Sequence, residues 1–100
     1  MIKILEKKKN ILKEHYKELQ KSYGVKKIGI FGSYVREEQK KDSDFDILVE
    51  FEDDFEIGLL KFINLENYLS NLLGIKVDLV EISSLKPRIG KNILKEVIYI

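Results

Sequence analysis

Gly32-Ser33 stands ten residues before Asp44-Phe45-Asp46, and no other part of the chain is as well suited to chemistry. The glycine and serine close an apolar run, Ile28-Gly29-Ile30-Phe31, and the aspartates open another, Ile47-Leu48-Val49. In an extended strand, side chains two residues apart point to one face, so Asp44 and Asp46 aim at one spot. Two carboxylates there repel each other unless a cation lies between them. Hard divalent ions such as Mg²⁺ take oxygen ligands and join carboxylates to substrate phosphates. Glycine lets backbone approach a phosphate closely, and N–H groups at a helix start with a serine hydroxyl hold its oxygens. The pattern predicts metal-dependent chemistry on a nucleoside triphosphate.

Two further residues can join this group. Asp78 interrupts the apolar run Val77-Asp78-Leu79-Val80, which is costly for a buried charge without a partner or metal. If that segment is a strand beside the one carrying Asp46, the three carboxylates form a two-metal site. One ion then activates the attacking oxygen and the other steadies the leaving phosphate. The alternative is a strand-end aspartate facing water. Arg36 follows Ser33 by about one helical turn and can face the same phosphates, or it can pair on the surface with Glu37 or Glu38. Glu50 reads as a solvent-facing strand residue, and His15, the one histidine, as a surface residue. Tyr34 packs on a nucleotide or on the core.

The elements that must position these residues follow from periodicity. A helix is expected from about Ile4 to Ser22, with Ile4, Leu5, Ile11, Leu12, Tyr16 and Leu19 on one face and Gly24 ending it. Strands are expected at Val25 to Phe31, Phe45 to Phe51 and Ile75 to Ile82. Ser33 is expected to cap a short helix running toward Gln39. Asp53-Asp54 is expected to cap another over Glu56 to Leu73, its apolar face carrying Leu59, Leu60, Phe62, Ile63, Leu69, Leu72 and Leu73. Ser83 or Ser84 caps a last helix with Pro87 in its first turn. It carries Ile89, Ile93, Leu94 and Val97, unless Val97 to Ile100 peels off as an edge strand. Helices alternating with strands indicate one sheet with helices packed on it.

One hundred residues make one domain, 1–100, with one modest core. The 44% apolar content argues against disorder, and no apolar stretch approaches the roughly 18 residues of a membrane span. The N-terminus, Met1 to Lys7, carries charge at once and lacks the apolar core of a signal peptide. With no cysteine, disulfides and thiolate metal sites are excluded. These features predict a cytoplasmic chain. A net charge of +1 gives no general nucleic-acid-binding surface. Arginine occurs only at 36 and 88 among many lysines, which suits a geometric task such as bidentate phosphate binding.

On these residues the chain resembles the DNA polymerase β-type nucleotidyltransferase superfamily. Within it, Gly32-Ser33-Tyr34-Val35-Arg36 and Ser43-Asp44-Phe45-Asp46-Ile47-Leu48-Val49 are similar to the minimal nucleotidyltransferases (MNT), often encoded beside a HEPN-domain partner. The likeness extends over nearly the whole chain. It implies an α+β nucleotidyltransferase fold, a small mixed sheet with helices packed on it. It implies that Asp44, Asp46 and Asp78 hold Mg²⁺, two ions in all, and that Gly32 and Ser33 hold the triphosphate of ATP. It also implies an antitoxin that transfers AMP to a tyrosine of a HEPN ribonuclease toxin in a hetero-oligomer. An antitoxin acting by contact alone and a small-molecule nucleotidyltransferase subunit stay open as alternatives. The family commonly has Ala-Arg-Gly after Gly-Ser-Tyr, where this chain has Val35-Arg36-Glu37; the lost glycine is expected to alter the turn after the phosphate loop.

Overall fold

The computed structural model describes residues 3–100. Met1 and Ile2, which open the charged N-terminal reading, lie outside the described residues. The chain runs helix α1 (Ile4–Tyr23), strand β1 (Val25–Phe31), strand β2 (Phe45–Phe51), helix α2 (Leu59–Leu73), strand β3 (Val77–Glu81), a 3₁₀ turn (Ile82–Ser84), helix α3 (Pro87–Glu96) and the short strand β4 (Ile98–Tyr99). The sheet order is β3-β2-β1-β4. β1 pairs antiparallel with β2 and β4, whereas β2 and β3 run parallel, so the sheet is mixed. A parallel pair needs a crossover, and α2 supplies it. This is the α+β architecture expected of the nucleotidyltransferase fold.

The core lies between one sheet face and two helices. Phe45, Ile47, Val49 and Phe51 alternate along β2 toward it and meet Leu12 and Leu19 of α1 and Leu65, Leu69 and Leu73 of α2. All are buried, and no polar or charged side chain is buried with them among the described residues. By the same alternation Asp46, Leu48 and Glu50 face the other way. Edge strand β3 turns its free N–H groups to α2. Val77 donates to Ser70 Oγ (3.0 Å) and Leu79 to Glu66 Oε2 (2.9 Å). These contacts satisfy an edge that would otherwise be open to a foreign strand.

Four local expectations need correction. No helix follows Ser33; residues 32–37 form a single turn. It is closed by N–H bonds from Val35 and Arg36 to the Gly32 carbonyl and from Glu38 to the Ser33 carbonyl. Glu37 ends it with a left-handed φ of 59°. The position the family gives to glycine thus keeps a glycine-like backbone with a side chain attached, at a cost in strain. Second, α2 begins at Leu59 with Gly58 as its cap, and Asp53 and Asp54 lie in a preceding turn. Its expected apolar face is also partly wrong, because Leu59 and Leu60 are 75% and 78% exposed while Leu65 is fully buried. Third, β3 is shorter than Ile75 to Ile82. Fourth, Ser83 and Ser84 lie in the 3₁₀ turn, and Lys86 is the residue before α3. The edge-strand reading of the last residues holds, as β4 pairs through Ile98 and Tyr99.

Candidate active site

Gly32 ends β1 with φ 84°, a conformation that side chains resist. Space enforces the choice as well: a Cβ at this position would collide with the Asp46 carboxylate. The turn that starts at Gly32 therefore lies directly against the first acid of β2. Phe31 and Asp46 are register partners across β1 and β2, and Asp46 and Asp78 are partners across β2 and β3. Tyr34 leaves this turn for the core, meeting the Phe45 ring edge-on at 5.1 Å.

Asp46 is half-buried, and its carboxyl is pushed up to about 6. Burial is the main cause, followed by the charges of Asp78 and Asp44; Arg36 opposes the rise and Glu96 adds to it. Asp44, just ahead of β2, has Lys76 Nζ at 4.0 Å. Asp78 is exposed, so the burial cost that singled it out in the sequence does not arise. Its place beside Asp46 comes from strand register. Among the described residues no three acidic, histidine or cysteine side chains close tightly enough to enclose an ion. The trio nevertheless fits a hard divalent cation. Its donors are all carboxylate oxygens, and the charges of Asp78 and Asp44, which add to the burial that raises Asp46, are ones a cation would offset.

Arg36 sits at the end of the turn. Its Nη1 donates to both carboxylate oxygens of Glu96, at 2.9 Å each, and its Nε lies 3.4 Å from Glu38. The Gly32 N–H donates to the same Glu96 Oε1 at 3.1 Å. Two of the three groups expected to hold phosphate thus converge on one oxygen. Ser33 lies between them, half-buried. Gly32, Arg36 and Asp46 form one side of a cleft of about 310 Å³, and Ile89, Asn92, Ile93 and Glu96 of α3 form the other. That size is within the range of small-molecule sites. Clefts of about 370 Å³ elsewhere lack this constellation; one is lined by Ile57, Phe62 and Leu79, another by Glu50, Phe55 and Ile82.

Sequence reasoning missed Glu96 and the α3 wall. Sixty-four residues separate Glu96 from Gly32, and the only local signal is an acid in the last turn of a helix, where the dipole favours a cation. His15 is partly buried and its Nδ1 lies 2.9 Å from the Ile11 carbonyl of its own helix. Glu50 lies 3.7 Å from Lys26 on the far part of β2.

Residues 5–100 match the nucleotidyltransferase domain family. The chain is 59% identical over 97 residues to a protein adenylyltransferase MntA of Thermococcus cleftensis, covering 96% of this chain and 95% of that protein. Its fold is similar to a solved structure provisionally described as a minimal nucleotidyltransferase. The two are 33% identical with a TM-score of 0.75, covering 97% of this chain and 95% of the other. It also resembles a chain in the structure of a tri-AMPylated Shewanella oneidensis HEPN toxin in complex with MNT antitoxin. There the identity is 22% and the TM-score 0.66, over 92% of this chain and 70% of that one, a likeness of fold alone. No helix among the described residues is long and apolar enough to cross a membrane. With its mixed sheet, its glycine turn and a match over nearly its full length, the chain belongs to the nucleotidyltransferase domain family, among the protein adenylyltransferases.

Proposed function

We propose that this adenylyltransferase is the antitoxin of a toxin–antitoxin pair and transfers AMP from ATP to a tyrosine of a HEPN-type ribonuclease in the cytoplasm. The observation that carries the reading is the Asp46–Asp78 pairing beside the Gly32 turn. Of the proposed set, Asp46, Gly32 and Arg36 line one small cleft, and Asp44, Asp78 and Ser33 stand outside its lining. The named relative supports a protein as the acceptor, a fold neighbour solved with a HEPN toxin supports the class of partner, and the tyrosine rests on the family resemblance.

In this reading Gly32 N–H, Ser33 and Arg36 hold the phosphates of ATP. Asp44, Asp46 and Asp78 hold Mg²⁺, which supplies charge neutralisation at the attacking and leaving oxygens. The partner's tyrosine oxygen attacks the α-phosphorus, and the bond to the bridging oxygen breaks. A carboxylate of the trio takes the hydroxyl proton. Pyrophosphate leaves against the Gly32 turn. The attached AMP brings phosphate charge to the ribonuclease, and this blocks RNA there.

The test is the intact mass of the partner after incubation with ATP and Mg²⁺. An AMP adduct on tyrosine supports the proposal. One observation favours a second reading, inhibition by contact alone: the Glu96 carboxylate already occupies the donors meant for phosphate. An unmodified partner that is still inhibited would select it. A partner neither modified nor bound would favour a small-molecule acceptor.

A further inference from the structure

The Glu96 carboxylate takes hydrogen bonds from the Gly32 N–H (3.1 Å) and from Arg36 Nη1 (2.9 Å to each oxygen). Carboxylate and phosphate present alike a short edge of two anionic oxygens, so donors arranged for one hold the other. Both cannot occupy these donors together. The position of Glu96 is itself informative. As the last residue of α3 it places an anion at the negative end of the helix dipole, where a cation is preferred. The acid also lies near enough to Asp46 to add to its charge burden. Neither its helix nor its acidic neighbour favours it there; the two donors of the turn do. Its side chain is 22% exposed, and it forms part of the cleft wall facing Gly32 and Asp46.

We infer that Glu96 is a built-in occupant of the phosphate-binding turn, and that a nucleotide binds by displacing this carboxylate from Gly32 and Arg36. This rests on the proposal that the turn holds phosphates. Glu96 therefore sets nucleotide affinity without being a catalytic residue. Displacement also has a structural consequence. Val97 follows directly and packs against Gly29, and β4 continues the sheet from there. Freeing Glu96 unties the end of α3 from the turn while β4 stays paired, so the change is confined to the last turn of α3.

Calorimetric titration of the Mg²⁺ complex of α,β-methylene ATP measures this directly, since that analogue binds without transfer. Glu96→Gln keeps the shape and removes the charge; it should tighten binding by about tenfold. Glu96→Asp keeps the charge but shortens the reach and should also bind more tightly than wild type. Glu38→Gln removes the other acid beside Arg36 without touching Gly32, and should change affinity by less than about twofold. Hydrogen exchange in the last turn of α3 should speed up when the analogue binds wild type and be fast already in Glu96→Gln. A gain in affinity is not what structural damage produces. Binding to wild type with no tightening in either Glu96 variant overturns the inference and leaves the nucleotidyl-transfer reading standing. No binding in any variant overturns both.

Discussion

The two faces of the sheet follow opposite rules. Toward α1 and α2, Leu12, Leu19, Leu65, Leu69, Phe45 and Ile47 meet with no polar side chain among them. Toward the cleft, the same strands end in groups that do not satisfy one another. Asp46 is raised by burial and then by its acidic neighbours, Glu37 holds a left-handed backbone, and a helix-terminal acid covers the phosphate donors. One face is consistent at every level; the other stores conflict where the reaction needs it. Substitutions on the two faces should therefore separate stability from activity.

The largest separation is expected at Asp46. Asp46→Asn keeps the shape and removes a charge that its surroundings resist. Transfer of labelled AMP should fall by about a thousandfold or more, because the central acid of the proposed metal site is lost. The melting temperature should stay equal or rise, because carboxylate repulsion is relieved. Transfer at the wild-type rate would refute the mechanism. On the other face, Leu69→Ala should cost about 3 kcal/mol of stability in denaturant unfolding through transfer and cavity terms. Nucleotide affinity of the molecules that remain folded should be unchanged. A variant that keeps its stability would mean that the α2 layer is less tightly packed than its burial indicates.

Much of this contrast was legible in the sequence. β1 and β2 are bounded by residues with strong local rules, Gly24 and Gly32 around one and Asp44 before the other, so their limits are found within the chain itself. α2 was harder because its first turns carry apolar residues outside the core stripe as well as in it. Leu65, four residues before Leu69, belongs to the buried stripe, and what misleads is that Leu59, Leu60 and Ile63 are apolar yet lie off it and face outward. Asp78 lacks the burial that its apolar run suggests, and only the pairing of β3 with β2, a condition in the sequence reading, sets it beside Asp46. Glu96 was out of reach, because only the tertiary approach of α3 to the turn gives it a partner.

A pH titration sharpens the comparison by a smaller effect. The Asp46 carboxyl has an ordinary value of 3.8 and sits at about 6 in the folded chain. The folded state therefore holds this proton more tightly than the unfolded state. The stability it contributes is fully present below about 3.8 and is lost as pH rises through about 6. Solvent screening at a half-buried group reduces the full linkage value, leaving about 1 kcal/mol between pH 4 and pH 7.5. In metal-free buffer the wild type should lose this increment over that interval and Asp46→Asn should not. Mg²⁺ at pH 7.5 should restore part of it to wild type alone. Parallel pH profiles for the two proteins would show that Asp46 titrates normally.

The smallest effect concerns the turn itself. Glu37 adopts φ 59° and reaches Lys3 Nζ at 2.5 Å, with both side chains mostly exposed. The ion pair lowers the Glu37 carboxyl and raises the Lys3 ammonium, chiefly through the hydrogen bond between them. An exposed pair of this kind adds little, whereas a side chain in the left-handed region is strained whatever it touches. Glycine relieves that strain but gains freedom in the unfolded chain, so the two terms partly cancel. Glu37→Gly should raise the melting temperature by about 3 °C, and Lys3→Ala should move it by about 1 °C or less. The order of the two shifts is what matters. A larger loss from Lys3→Ala than gain from Glu37→Gly would mean that the ion pair, rather than the backbone hydrogen bonds to Gly32 and Ser33, holds the turn in shape. If the order is as expected, the turn keeps its geometry without the glycine, and the cleft face bears a strain that the core face does not.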